Sequence, residues 1–273
     1  MKLYICPNLS KERYVKTSHL CIEALSKNGF ECYFSRDDSI TLFKNDEHTA
    51  SPADVDAIVS VGGDGAVLNA AKTAIEYNKP LLGINGGRLG YLCAYELDGS
   101  ENITPESVKK LLRSKRSTVC FDNGETSKTA LNDIVIAKGN YGSVIKIDVL
   151  CDEKPLMSFR GDGIIISTPT GSTSYNFSAG GPVLLPGSKC FAVTPICPHL
   201  SDARTIVVPD TCKLDISVSD NASNPAYIYC DGISYGEVNS QITVKKSDRS
   251  LILLVNDSCS FVNNEKLHNT SLL

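Results

Sequence analysis

The chain has 273 residues, of which 42% are hydrophobic and 21% charged, with a formal net charge of −4. That length allows one large domain or two ordinary ones, and the composition fits a soluble globular protein. The charge offers no footprint for nucleic acid, no apolar stretch approaches a membrane span, and Met1-Lys2-Leu3-Tyr4-Ile5 is too short for a signal peptide.

In chain order, Lys2 to Cys6 reads as a strand. Ser10 can cap a helix whose apolar positions are Val15, Leu20, Cys21, Ala24 and Leu25, and Gly29 ends it. Phe30 to Phe34 and Asp56 to Val61 read as the next strands. A helix after Gly65 carries Val67, Leu68, Ala71, Ala74 and Ile75, and Pro80 to Ile84 is a fourth strand. This βαβ rhythm argues for a parallel sheet with helices on both faces. Pro105 to Leu112 can form one more helix. From Ser117 onward short strand-like runs dominate, at 119–121, 131–137, 144–150, 164–167, 205–208, 214–218, 226–230, 241–244 and 251–255. Their spacing suggests a β-rich sandwich. The expected plan is an α/β Rossmann-like domain over 1–98 and a β-rich domain over 99–273, with the C-terminal tail able to pack back on the first.

The most informative segment is Val61-Gly62-Gly63-Asp64-Gly65, between the apolar run Ala57–Val61 and a helix start. A strand, a glycine-rich turn and a helix N-terminus present unpaired N–H groups to an anion. An aspartate there suits a bridging cation, or a base that takes a proton from an attacking hydroxyl. Phosphoryl transfer to an alcohol follows, although the same residues also make a good tight turn. The segment is neither the Rossmann fingerprint nor a P-loop.

Asn85-Gly86-Gly87-Arg88-Leu89-Gly90 follows the fourth strand, at the carboxyl edge beside that turn, and Arg88 can reach a phosphate. Asn132-Asp133 opens a strand with the donors and acceptors that a base edge and ribose hydroxyls need. Gly161 to Asn176 runs from a buried Ile strand into hydroxyls and one tyrosine, Tyr175, as a nucleotide pocket would. Asp231-Gly232 is a weaker, turn-like candidate. The 11 cysteines include no CxxC pair and do not cluster with the histidines, so they read as reduced thiols of a cytosolic protein rather than a zinc site.

Together these motifs resemble the NAD kinases, which use ATP or polyphosphate to make NADP. Gly62-Gly63-Asp64-Gly65 is similar to their GGDG motif, which diacylglycerol and sphingoid kinases share. Asn132-Asp133 resembles their Asn-acidic pair, and Gly161 to Asn176 with Gly180-Gly181-Pro182 resembles their long signature segment. The resemblance implies an active site in a cleft between an α/β and a β-rich domain, a homodimer or homotetramer, and Mg²⁺ as the divalent cation. It implies that Asp64 is the catalytic carboxylate and that Gly62, Gly63 and Gly65 cradle the donor phosphates, which Arg88 is placed to reach by its position after the fourth strand. It assigns Asn132, Asp133, Asp162, Thr170, Thr173, Ser174, Tyr175 and Ser178 to NAD. Three positions depart from the family pattern: Ala66 in place of a hydroxyl residue, Asp133 in place of Glu, and Gly232 where some members carry His. A lipid kinase and a non-catalytic NAD-binding regulator remain as alternatives; assay of NADP formation from NAD, ATP and Mg²⁺ separates them.

Overall fold

The structure is a computed structural model and describes residues 1–9, 12–86, 92–140, 142–219, 225–238 and 241–256. The chain divides into two compact units, Met1–Lys115 together with the segment from Leu251, and Arg116–Ser250. The division therefore falls later than the expected 98/99. Ile103, Val108 and Leu111 are buried in the core of the first unit, so the stretch around the short fourth helix folds with it.

In chain order the first unit contains β1 (Lys2–Pro7), α1 (Glu12–Lys27), β2 (Glu31–Tyr33), α2 (Arg36–Phe43), β3 (Ala57–Val61), α3 (Asp64–Glu76), β4 (Leu81–Asn85), β5 (Tyr95–Glu96) and α4 (Pro105–Lys109). β1 pairs in parallel with β2 on one side and β3 on the other, and β3 pairs in parallel with β4. The strand order thus reverses beside β1, which places a topological switch point at the carboxyl ends of β1 and β3. β3 and β4 are buried at every residue, as strands covered on both faces must be.

α1 buries Ser18, Cys21, Ile22 and Leu25, a spacing of three and four. Leu20, expected on that face, is 60% exposed. The Ser10 cap lies outside the described residues. α2 was not expected from the sequence. It is capped by Ser35, whose Oγ accepts the Asp38 N–H at 3.1 Å, a local signal inside an otherwise polar stretch. α4 stops at Lys109 rather than Leu112, because Leu112 already begins a strand.

The second unit is a β-sandwich. Its strands are β6 (Leu112–Asp122, from Arg116 on), β7 (Ser127–Ala130), β8 (Asp133–Lys138), β9 (Ile145–Cys151), β10 (Lys154–Gly161) and β11 (Gly163–Ser167). After α5 (Tyr175–Ser178) come β12 (Cys190–Ile196), β13 (Ile206–Pro209), β14 (Leu214–Ser219), β15 (Ala226–Cys230), β16 (Ile233–Glu237) and β17 (Ile242–Val255). One layer is antiparallel in the order β13-β12-β11-β8-β15-β16. In the other, β9 pairs antiparallel with β10 and β14, and β14 pairs with the start of β17. Alternate residues of both layers meet in one core, among them Ile134, Ile136, Ile164, Ile166, Ile147 and Ile216. Each such side chain contributes about 1.5–3 kcal/mol when fully buried.

The runs expected at 241–244 and 251–255 form a single strand, β17. It leaves the second unit at Ser250, and Leu253 and Leu254 then pair in parallel with Leu81 and Leu82 of the first. Among the described residues no helix is long and apolar enough to cross a membrane.

Candidate active site

In the first unit β3 delivers Gly62 directly into the turn. Gly62 has φ +148°, and a Cβ there would lie 2.7 Å from the Ala66 Cβ and 3.6 Å from Asn8 at the end of β1. Only glycine lets the turn sit that close to the switch point. Gly63 is the helix N-cap and offers no side chain to the first N–H groups of α3, which begins at Asp64 rather than at Ala66. A Cβ on Gly65 would meet nothing within 4 Å among the described residues.

The Asp64 carboxylate is half-buried, and its Oδ1 accepts the Leu92 N–H at 3.1 Å. Gly62 N–H donates to the Ile84 carbonyl at 2.9 Å, and the Cys93 thiol approaches the Gly62 carbonyl at 3.7 Å. The segment after β4 therefore returns against the phosphate-type turn, as expected from its place at the carboxyl edge. Gly86 packs on Thr17, whose Cγ2 would stand 2.4 Å from an added Cβ. Arg88, with Gly87, Leu89, Gly90 and Tyr91, lies outside the described residues.

In the second unit the organiser is Asp231. It forms with Gly232 the two-residue turn between β15 and β16, at φ +47° and +78°, where Cys230 pairs with Ile233. Its carboxylate accepts the backbone N–H groups of Leu131, Asn132 and Asp133 at 2.8, 2.7 and 3.2 Å. Three charge-assisted bonds fix the entry into β8. The Asp-Gly pair signalled the turn in the sequence, but nothing local revealed where its carboxylate would reach.

Asn132 and Asp133 are both 6% exposed. The Nδ2 of Asn132 donates to Ser174 Oγ at 3.1 Å, while its buried Oδ1 has no hydrogen-bond partner among the described residues. Burial raises the Asp133 carboxyl to about 7, with the Asp231 charge adding to the effect.

The loop from Thr168 to Gly181 locks onto this pair. Thr168 Oγ1 donates to the Leu131 carbonyl at 2.6 Å, and Thr168 N–H donates to the Asn132 carbonyl at 2.9 Å. A Cβ on Gly171 would stand 2.2 Å from the Asn132 carbonyl oxygen, so the close approach requires glycine. Asn176 is fully buried: its Nδ2 donates to the carbonyls of Ser172 and Pro182, and its Oδ1 accepts the Thr194 hydroxyl at 2.7 Å. Part of the hydroxyl-rich segment is thus structural. Thr170 is buried and Thr173 half-buried, whereas Ser174, Tyr175 and Ser178 face outward. Asp162 pairs with Lys138 Nζ at 2.7 Å. Tyr175, 46% exposed, lies within electrostatic range of Asp162 and Asp133, and burial raises its hydroxyl above the ordinary value before those charges do.

A cavity of about 500 Å³ opens here, lined among others by Lys138, Asp162, Tyr175, Ile196, Tyr227 and Tyr229. Its volume falls within the range of small-molecule sites. Lys138, Tyr227 and Tyr229 were not expected as site residues. The signal for the two tyrosines was the period-two pattern of β15, where Ile228 and Cys230 enter the core and the intervening tyrosines point away from it.

Residues 23–115 match the ATP-NAD kinase N-terminal domain, and residues 131–255 match the ATP-NAD kinase C-terminal domain. The chain belongs to the NAD kinase family. It is 34% identical over 275 residues to an NAD kinase of Chlorobium phaeovibrioides, an alignment covering 94% of each chain. It is 36% identical over 221 residues to an NAD kinase of Clostridium beijerinckii, with 77% of this chain and 76% of that one covered. Among solved structures, an NAD kinase from Archaeoglobus fulgidus in complex with ATP has a TM-score of 0.77 at 27% identity, covering 97% of this chain and 98% of that one. Yeast NADH kinase complexed with NADH has a TM-score of 0.81 at 22% identity, covering all of this chain and 89% of that one, and so shares the fold. The α/β unit followed by a β-rich sandwich, expected from the sequence, is the fold of this family.

Proposed function

We propose that the chain transfers the terminal phosphoryl of ATP, or of polyphosphate, to the adenosine 2′-hydroxyl of NAD, forming NADP. The observation that carries this reading is the buried pair Asn132–Asp133. Asn132 holds an unpaired acceptor, which suits an exocyclic amino group of a base, and Asp133 offers acceptors to ribose hydroxyls. A buried acceptor without a partner costs about 1–3 kcal/mol, which a bound base would recover.

In the first unit, Gly62, Gly63 and Gly65 bring backbone N–H groups to the donor phosphates. The 2′-oxygen forms a bond to the terminal phosphorus as the bond to the leaving phosphate breaks, and the hydroxyl proton passes to the Asp64 carboxylate. In the second unit, Ser174 and Thr168 hold Asn132, Asp231 fixes the backbone of Asn132 and Asp133, and Tyr175 supplies an aromatic face for a base. The oxygen-only donor set at Asp64 fits Mg²⁺, which when bound would neutralise charge on the phosphate oxygens.

The membrane-surface and donor-deficient alternatives gain no support from the relatives, which are NAD kinases. We place the chain in the cytoplasm, a compartment that keeps its 11 cysteines reduced. We also propose a homodimer or homotetramer. The family resemblance supports this assembly. Incubation with NAD, ATP and Mg²⁺ should yield NADP, and absence of NADP with both ATP and polyphosphate would overturn the reading. Light scattering after size exclusion reads the assembly.

A further inference from the structure

We propose that Cys151, Asp152 and Cys212 form a binding site for a thiophilic divalent cation such as zinc, separate from the phosphoryl-transfer residues. Their ligand atoms all lie within 4.8 Å of one another. The sequence offered no CxxC spacing, because the two cysteines come from strands that meet only in the folded sheet.

The backbone sets this convergence. β9 ends at Cys151, and Asp152-Glu153 turn the chain into β10 at φ +49° and +67°, with Lys154 pairing back to Cys151. On the other side Cys151 pairs with Leu214 at the start of β14. Asp152 N–H donates to the Lys213 carbonyl and Lys213 N–H donates to Asp152 Oδ1, both at 2.9 Å. Cys212 is thereby carried to Cys151 and Asp152. Ligands fixed by sheet pairing are more precise than ligands on a loose loop.

The chemistry favours a soft cation. Two thiolates and a carboxylate this close repel one another; a dication reverses the sign of that interaction. Zinc–sulfur bonds of about 2.3 Å place tetrahedral ligand atoms about 3.8 Å apart, so closing the site needs movements of about 1 Å at most. Both cysteines are half-buried and Asp152 is exposed, which leaves an entry path and a fourth position for water. Binding one ion releases the two thiol protons and changes no oxidation state. Mg²⁺, which prefers oxygen donors, would not compete. The site lies on the β9–β14 layer, whereas Asn132 and Asp133 enter the other layer through β8.

The test uses the full chain, reduced and stripped with a chelator, then titrated with Zn²⁺ against a chromophoric competitor and with Co²⁺. The expected result is one ion per chain and a thiolate-to-cobalt charge-transfer band. Cys151→Ser and Cys212→Ser should each weaken Zn²⁺ binding at least about tenfold and remove the band, with Asp152→Asn having a smaller effect. Cys190→Ser, in β12 of the other layer, should bind as the unaltered chain does. Thermal melts of the metal-free variants check folding, and Asp152→Asn keeps the test open if a serine variant does not fold. Affinity in the two serine variants equal to that of the unaltered chain, no charge-transfer band, or a Cys151–Cys212 disulfide that persists in reductant without bound metal would overturn the proposal.

Discussion

The turn of the first unit and the loop of the second hold their candidate residues by opposite means. Around Gly62–Gly65 the site is backbone: glycines, a helix N-terminus, and one carboxylate tied to Leu92 N–H. Around Asn132–Asp133 it is side chains, buried and held by a network from Asp231, Thr168, Ser174 and the close contact of Gly171. A site made of N–H groups suits an anion of fixed charge and little shape. A site made of placed donors and acceptors can distinguish one base from another. The first should be sensitive to charge and the second to packing, and variants can break or sharpen that contrast.

The largest effect is expected at Asp64. Asp64→Asn keeps an oxygen for the Leu92 N–H but removes the charge, so turnover should fall about 10²-fold or more while NAD binding by calorimetry is retained. Near-normal turnover would reduce Asp64 to a fastener of the returning segment. Next comes Gly171→Ala, whose new methyl would meet the Asn132 carbonyl. A stability loss of about 3 kcal/mol is expected, the upper end for overpacking, with a raised KM for NAD. A normal melting temperature would mean that the loop yields easily and that packing is not what positions Asn132.

Tyr175→Ala should weaken NAD binding by about 1–3 kcal/mol if the half-exposed ring stacks on a base, and calorimetry that shows no change would assign it elsewhere. Asp133→Ala should cost about 1–3 kcal/mol in kcat/KM for NAD, whereas Asp133→Glu should be tolerated; a lowered melting temperature with unaltered kinetics would make Asp133 purely structural.

The same residue carries a pH signature. Its folded pKa, about 7, lies above the ordinary carboxyl value of about 3.9, so between those limits the folded chain holds more protons than the unfolded one. Its contribution to stability is full below the ordinary value and is lost as pH rises through about 7. Asp133→Asn should therefore show a smaller fall in melting temperature between acidic and neutral pH; identical slopes would locate the titration at another group. The smallest effect is expected for Gly65→Ala on stability, within about 1 kcal/mol, since among the described residues the added methyl meets nothing within 4 Å.

The glycine-rich turn was legible because local chemistry defines it: a buried strand, glycines and a helix start are consecutive in the chain. The Asp231–Gly232 turn, the βαβ rhythm and the alternation of β8 and β15 were legible for the same reason. The helix of Arg36–Phe43 was missed because its cap sits in a polar stretch with little periodicity. The division at Lys115 was missed because Ile103, Val108 and Leu111 join their core through long-range packing.

By itself the sequence determined the family-like motifs, the α/β-then-β order and the identities of the candidate residues, since strand period, turn chemistry and glycine placement act between near neighbours. Only the tertiary structure decided which hydroxyls of 168–178 face outward and which are spent inside, that Asp231 grips the backbone of Asn132 and Asp133, and that Cys151 meets Cys212. Each of those depends on strand register, which brings distant residues within hydrogen-bond reach and which near-neighbour chemistry does not set.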